Sequence, residues 1–306
     1  MGPTIKPQGR LAAASTRRGV FYLLVTILSW GSTWPVNKAI LAVLSPWWML
    51  PLRSAVATGG VLLIAAAMGR LVRPPRADVP ILLSIVLLHM VGFATFAALG
   101  LSLVSTGRSV VLAYTTPLWV MPGAWLFLKE RPQPGQIVGV ILGLAGLAVL
   151  FNPFTFDWND RRAVLGNASL LFAALLWAAN IMHVRGHKWH CTPFELIPWE
   201  LALATVMLAV PIVTRAELPA AAWTPGLVVL LIVSGGVGVA LPHWSIVMAT
   251  RNLPAVTTSL GLLSVPLVSI GGASLTLGER PSVSLLIAVA LILGGIAVAT
   301  VQSATR

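Results

Sequence analysis

Charge is what this sequence has least of. Only 9% of its 306 residues are Asp, Glu, Lys or Arg, against about 25% in an average soluble domain, so a soluble fold of this length could not cover itself with polar groups. Carboxylates are scarcest: eight Asp and Glu stand against 20 Lys and Arg, a net charge of +12. In a soluble protein that excess would suggest nucleic acid. Here the basic residues sit in short connections between apolar runs, where they orient helices in a bilayer, and no nucleic-acid partner is expected. One cysteine, Cys191, excludes an internal disulfide and any cysteine-rich metal site. No cofactor is implied. What remains is apolar: 57% of residues are hydrophobic, 12 are Trp, and the mean hydropathy is +0.91. The apolar residues fall in runs of about twenty, the length that crosses a bilayer as a helix.

A window of about nineteen residues predicts ten transmembrane helices near 19–38, 46–69, 79–101, 107–128, 134–152, 163–184, 193–213, 225–248, 254–277 and 282–301. The connections are short and marked by proline, as at Pro74, Pro75, Pro132 and Pro134, leaving no room for a soluble domain. With the N-terminus inside, 13 of the 20 Lys and Arg face the cytoplasm, six face outward and Arg53 lies within a helix. The positive-inside rule then places both termini in the cytoplasm. The basic lead-in Thr16-Arg17-Arg18 has the form of a signal sequence. Polar Lys38 stands where a small-residue cleavage site would be, and another span follows at once, so the first helix reads as uncleaved.

The chain repeats itself. A shift of 149 aligns PLWVMPGAWLFLKERP from Pro117 with PLVSIGGASLTLGERP from Pro266, and 15 of the 33 positions between Pro117 and Val149 match their partners. Apolar residues could match by chance, but Glu130/Glu279, Arg131/Arg280, Pro132/Pro281 and a shared mid-helix proline could hardly do so. Earlier in each half the shift is 147, pairing Trp30 with Trp177, Pro46 with Pro193 and Pro51 with Pro198. The fold class expected is therefore all-α and integral to the membrane, ten helices in two five-helix repeats, 1–152 and 153–306. Five is odd, so the second copy enters from the opposite side and the repeats are inverted, an arrangement suited to alternating access.

At WGSTWPVNKAI (Trp30 to Ile40), SPWWMLPLRSAVA (Ser45 to Ala57) and the duplicated LKERP and LGERP helices, the chain resembles the drug/metabolite transporter superfamily in its ten-helix EamA-type branch. The resemblance covers nearly the whole length and is closest to bacterial aromatic amino-acid exporters. It implies a carrier of small metabolites whose first, third, fourth, sixth, eighth and ninth helices surround a central cavity.

Polar and aromatic residues near mid-membrane are the candidates for contact with a substrate, because polar groups in hydrocarbon are costly and tend to face a cavity. Trp30, Trp34 and Asn37 share one face of the first helix, and His89, Phe93 and Phe96 one face of the third. Tyr114 stands a third of the way along the fourth, Trp177 and Asn180 lie three apart on the sixth, and Ser259 and Ser264 belong to the ninth. The substrate-binding set expected is Trp30, Trp34, His89, Phe93, Tyr114, Trp177, Asn180, Ser259 and Ser264. Each has a blander reading: Trp anchors at the interface, neutral His on a backbone carbonyl, Ser bonded within the helix bundle. Pro117 and Pro266 occupy corresponding positions, and each frees a carbonyl about one turn earlier, so paired kinks should shape the cavity. The five His show no metal-ligand spacing, and neither a metal site nor a catalytic residue is expected.

Among function classes, a membrane enzyme would need a nucleophile with a base or a ligand cluster, and a scaffold would not need inverted repeats. The reading is a secondary transporter that exports small amphiphiles, chiefly aromatic or hydrophobic amino acids, from a bacterial cytoplasm across the inner membrane. Facilitated diffusion or exchange is expected, since no carboxylate lies on the helices implied to line the cavity. Glu200 lies within the seventh helix about 10 Å in depth from Arg53 at 1.5 Å per residue, which argues against a salt bridge. Two alternatives stay open: another metabolite or drug (an organic anion, nucleotide or sugar derivative), or proton coupling. Partners are the lipid bilayer and an amino acid-like substrate, with the oligomeric state left open, a monomer included.

Overall fold

The structure is a computed structural model that describes residues 7–69, 71–127, 129, 133–151, 156–215, 223–253 and 255–304. The described residues form ten helices: α1 (Pro7–Leu41), α2 (Pro46–Ala67), α3 (Arg76–Leu103), α4 (Thr106–Phe127), α5 (Pro134–Leu150), α6 (Arg161–Gly186), α7 (Pro193–Arg215), α8 (Pro225–Asn252), α9 (Ala255–Leu277) and α10 (Val283–Ala304). Among the described residues nine helices are long and apolar enough to span a bilayer, and the shorter apolar α5 completes the ten. Proline opens α2, α5 and α8, where its missing N–H costs no intrahelical bond. Glu130, Arg131 and Pro132, the first copy of the repeated motif, lie outside the described residues, as does Arg306.

Packing follows the duplication. Helix α1 packs against α8 and α9, and its counterpart α6 packs against α3 and α4. The self-paired contacts are α2 with α7 and α5 with α10, the pairs that a twofold axis in the membrane plane must cross. That axis can be placed at one hydrogen bond, Thr58 to Thr205 between hydroxyls at 2.8 Å, because these two residues are themselves repeat equivalents. Backbones meet most closely at α5 and α10: a Cβ on Gly295 would stand 2.6 Å from the Gly139 carbonyl oxygen. Without a hydrophobic drive inside lipid, such close approach of small residues is what holds helices together.

The two repeats also break at corresponding places. Helix α4 is interrupted at Tyr114 and Thr115, ending two residues before Pro117, and α9 at Leu263, three residues before Pro266. Leu263 is the partner of Tyr114 under the shift of 149. The Ala113 carbonyl, freed by Pro117, accepts from Thr116 Oγ1 at 2.9 Å, and the Leu112 carbonyl accepts from both the Thr115 N–H at 3.1 Å and Thr115 Oγ1 at 2.7 Å. Both third helices carry a π-helical stretch, Ile85–Phe93 in α3 and Gly236–Ala240 in α8, which periodicity at 3.6 residues does not reveal. Loose turns of this kind recur at functional sites.

Candidate functional site: a central aromatic cavity

One cavity lies at the centre of the bundle and encloses about 1020 Å³ of space, its opening included. Seven helices border it. Helices α1, α3, α4, α6 and α8 do so, as the resemblance implied, but α2 and α7 take part as well, through residues such as Arg53, Ser54, Leu201 and Leu208, and among the described residues none of α9 is on its wall.

Of the residues singled out in the sequence, Trp30, Trp34, His89, Phe93, Tyr114 and Trp177 border this space. Five of these rings, all but Trp34, form one connected cluster together with His243. His89 stacks on Trp177 with centroids 5.3 Å apart and planes 15° apart; Phe93 meets Trp177 at 5.1 Å and Tyr114 meets it edge-on at 6.0 Å. From the other side Trp30 stands edge-on to His243 at 6.2 Å, and His243 lies 6.4 Å from His89. The repeat equivalents Trp30 and Trp177 thus face the same cavity from opposite halves, each against a histidine. Asn180, Ser259 and Ser264 are not among the residues on its wall. Asn180 is buried with its Oδ1 unpartnered, and Ser259 is exposed. Phe96 also departs from the expected face and packs on Phe172 at 4.7 Å. The π-helical turns explain this: the wall of α3 runs His89, Phe93, Ala97, Leu101, in steps of four, so the stripe slips past the position that a 3.6-residue period would give Phe96.

Sequence reading passed over several wall residues. His243, close to the end of α8, is one of them; its Nδ1 bonds the Val239 carbonyl at 2.6 Å, and the π-helical turns just before it leave no mark in periodicity. Thr33 and Ser54 gave no signal that separates them from other small polar residues in helices. Arg53 was visible by depth alone. It is the one Lys or Arg among the wall residues, no carboxylate is among them, and no ion pair joins it to Glu200 among the described residues.

The wall extends from the ring cluster toward Asn37, Leu50 and Leu101, the end of the bundle where α1 finishes. On the N-terminal side of the rings α1 is fastened to α8: Thr26 and Ser245 share a buried hydrogen bond of 2.7 Å, and Tyr22 meets Trp244 edge-on at 5.2 Å. At the α1-finishing end, Glu279 of the repeated motif caps α4. It accepts from the Thr106 N–H at 2.9 Å and from Thr106 Oγ1 at 2.7 Å, so the motif joins one repeat to the first turn of a helix in the other. Arg108 is held by Asn167 at 2.6 Å and the Leu150 carbonyl at 2.9 Å, over the Phe156 ring. On the opposite face lies Cys191, whose thiol is pushed up to about 12 by burial and then by the neighbouring Asp78 carboxylate, which keeps it protonated.

The two-repeat, ten-helix architecture agrees with comparison to known proteins. The EamA-like transporter family matches residues 17–152 and again 164–301. This chain belongs to that family. An uncharacterized transporter of Bacillus subtilis, YvbV, is 24% identical over 287 residues, covering 94% of this chain and 92% of its own. The aromatic amino acid exporter YddG of Ancylobacter novellus is 28% identical over 216 residues, 68% of this chain and 72% of its own. A protein of known crystal structure shares the fold with a TM-score of 0.63 at 23% identity, over 95% of this chain and 97% of that one.

Proposed function

We propose that this multi-pass membrane protein of a transporter family exports aromatic or hydrophobic amino acids from the cytoplasm by alternating access, as a facilitated carrier or exchanger. The observation that carries the reading is the composition of the cavity wall: seven rings, Trp30, Trp34, His89, Phe93, Tyr114, Trp177 and His243, with one guanidinium and no carboxylate among the described wall residues. Such a wall suits a net-neutral ligand with an aromatic side chain. The ligand's ring stacks among the indoles, its ammonium lies over an indole or phenol face for about 0.5 to 2 kcal/mol, and its carboxylate pairs with Arg53. Thr33, Asn37 and Ser54 supply further polar atoms along the same wall. A single cation is a poor fit to nucleotides or phosphorylated sugars, whose charge calls for several. The exporter from Ancylobacter novellus lends support to the substrate class.

Purified protein in liposomes loaded with labelled tryptophan, phenylalanine, leucine or aspartate tests this reading. Saturable efflux of the first three without any ion gradient is expected, with aspartate retained. Absence of protein-dependent efflux of every aromatic amino acid would overturn it.

A further inference from the structure

On the face of the bundle opposite the Glu279 cap, Asp78 sits in the turn that opens α3, and His187 and His190 lie in the segment joining α6 to α7. The sequence separates the acid from the imidazoles by more than a hundred positions and gives no ligand spacing. The fold brings all three to one point. His187 Nε2 is 2.8 Å from Asp78 Oδ1, and His190 Nδ1 is 2.9 Å from the same oxygen. The carboxylate is wholly buried, and the His190 ring is 53% exposed. The other carboxylate oxygen is already oriented by backbone, accepting from the N–H groups of His190 at 3.1 Å and Cys191 at 2.9 Å.

We propose that Asp78, His187 and His190 form a binding site for a divalent transition-metal ion of the zinc class, bridging the two repeats. The donor set is two imidazole nitrogens and one carboxylate oxygen, which suits zinc with three protein ligands and a fourth position left to water. All three donor atoms lie within 4.8 Å of one another. In a tetrahedral site with bonds of about 2.0 Å, donors stand about 3.3 Å apart, so each nitrogen need retreat from Oδ1 by only about half an ångström. With the ion bound, each ring presents a lone pair on the nitrogen that now faces Asp78 and carries its proton on the other nitrogen. The backbone N–H bonds to Oδ2 supply the outer support that metal-binding carboxylates use. The exposed edge of His190 gives the ion a way in from solvent, and the hydrated open position lies there. Magnesium and calcium, which take oxygen ligands, are a poor match to two imidazoles.

The experiment is zinc binding to the full-length protein, purified in detergent and stripped with a chelator, measured by titration calorimetry with zinc chloride. One ion per chain is expected, not displaced by millimolar magnesium. His187→Gln and His190→Ala should each weaken binding by at least about tenfold; His190→Ala alters a mostly exposed side chain and keeps the fold. Cobalt(II) added to the stripped protein should give the visible absorption of a tetrahedral site, lost in both variants. If no stoichiometric zinc binds, or if the variants bind as tightly as the parent, the proposal fails, and the three residues form only a hydrogen-bonded link.

Discussion

Trp30 and Trp177 stand at the same position of two copies of one unit, and the inverted repeat turns them toward each other across the cavity. Their roles then differ by their neighbours: Trp177 is stacked on His89, and Trp30 meets His243 edge-on. Removing the stacked indole should cost more than removing the other. Trp177→Ala is expected to lower aromatic amino-acid efflux by at least about tenfold with membrane insertion intact, since one aromatic pair is worth about 0.5–1.5 kcal/mol beyond the area it buries. Arg53 offers a sharper test. Arg53→Gln should raise the KM for tryptophan by about tenfold, or about 1.4 kcal/mol, and leave the transport of tryptamine, which lacks the carboxylate, unchanged. Equal losses for both ligands would mean that Arg53 acts on the fold and not on the carboxylate. The aromatic wall was legible because Trp, His and Tyr deep in apolar runs are conspicuous. Arg53 stood out by depth, but the periodicity of α2 does not say which neighbours it faces, and the inward turn of His243 follows a π-helical stretch of α8 that leaves no mark in periodicity. Asn180, Ser259 and Ser264 show the converse: a small polar residue in an apolar helix can lie between helices or on the outside as readily as on the cavity, so depth alone does not place it.

Elements that resemble each other across the repeat tie particular residues to particular backbone demands. Gly278 ends α9 in the left-handed region at φ 67°, and its repeat partner Lys129 holds φ 54°. A side chain there costs about 1–2 kcal/mol, less what glycine loses in the unfolded chain. Lys129→Gly should therefore stabilise the protein slightly, by up to about 1 kcal/mol, readable as a raised Tm in detergent. A larger effect of opposite sign is expected at the α5 and α10 contact. A Cβ on Gly295 meets the Gly139 carbonyl oxygen, which is backbone and cannot swing aside, while the neighbouring Gly294 has nothing within 4 Å. Gly295→Ala should cost about 1–3 kcal/mol, as overpacking does, and Gly294→Ala close to nothing. Equal Tm values for the two variants would contradict the close approach. The helix count and the pairing of α4 and α9 breaks with Pro117 and Pro266 were readable, because both follow from covalent features. The packing partner of each helix was not, beyond what the symmetry of the duplication implies.

For the whole molecule the same inverted symmetry sets the cycle. In this structure the cavity wall runs toward the end where α1 finishes, and the other face is fastened by Thr26 to Ser245 and by Asp78 to His187 and His190. Two equivalent repeats that exchange conformations must loosen one face as they close the other. Under the positive-inside assignment the fastened face is cytoplasmic, and a reporter fused after Arg306 should be active only there. Each turnover of the proposed carrier then has to part Asp78, which belongs to the first repeat, from the two histidines of the second. A ligand that binds one conformation and not the other shifts the equilibrium by its differential affinity alone, so an ion held between these residues should hold this face shut and slow exchange. Zinc added at a concentration a hundred times its Kd stabilises the closed face by about 2.7 kcal/mol, enough to reduce tryptophan exchange in liposomes by up to about a hundredfold where parting of this face limits the rate. The doubly substituted His187→Gln, His190→Ala protein should exchange tryptophan at the same rate with and without zinc. Undiminished exchange by the parent protein with zinc demonstrably bound would show that this face does not part during transport, and the alternating movement would have to be sought between other helices.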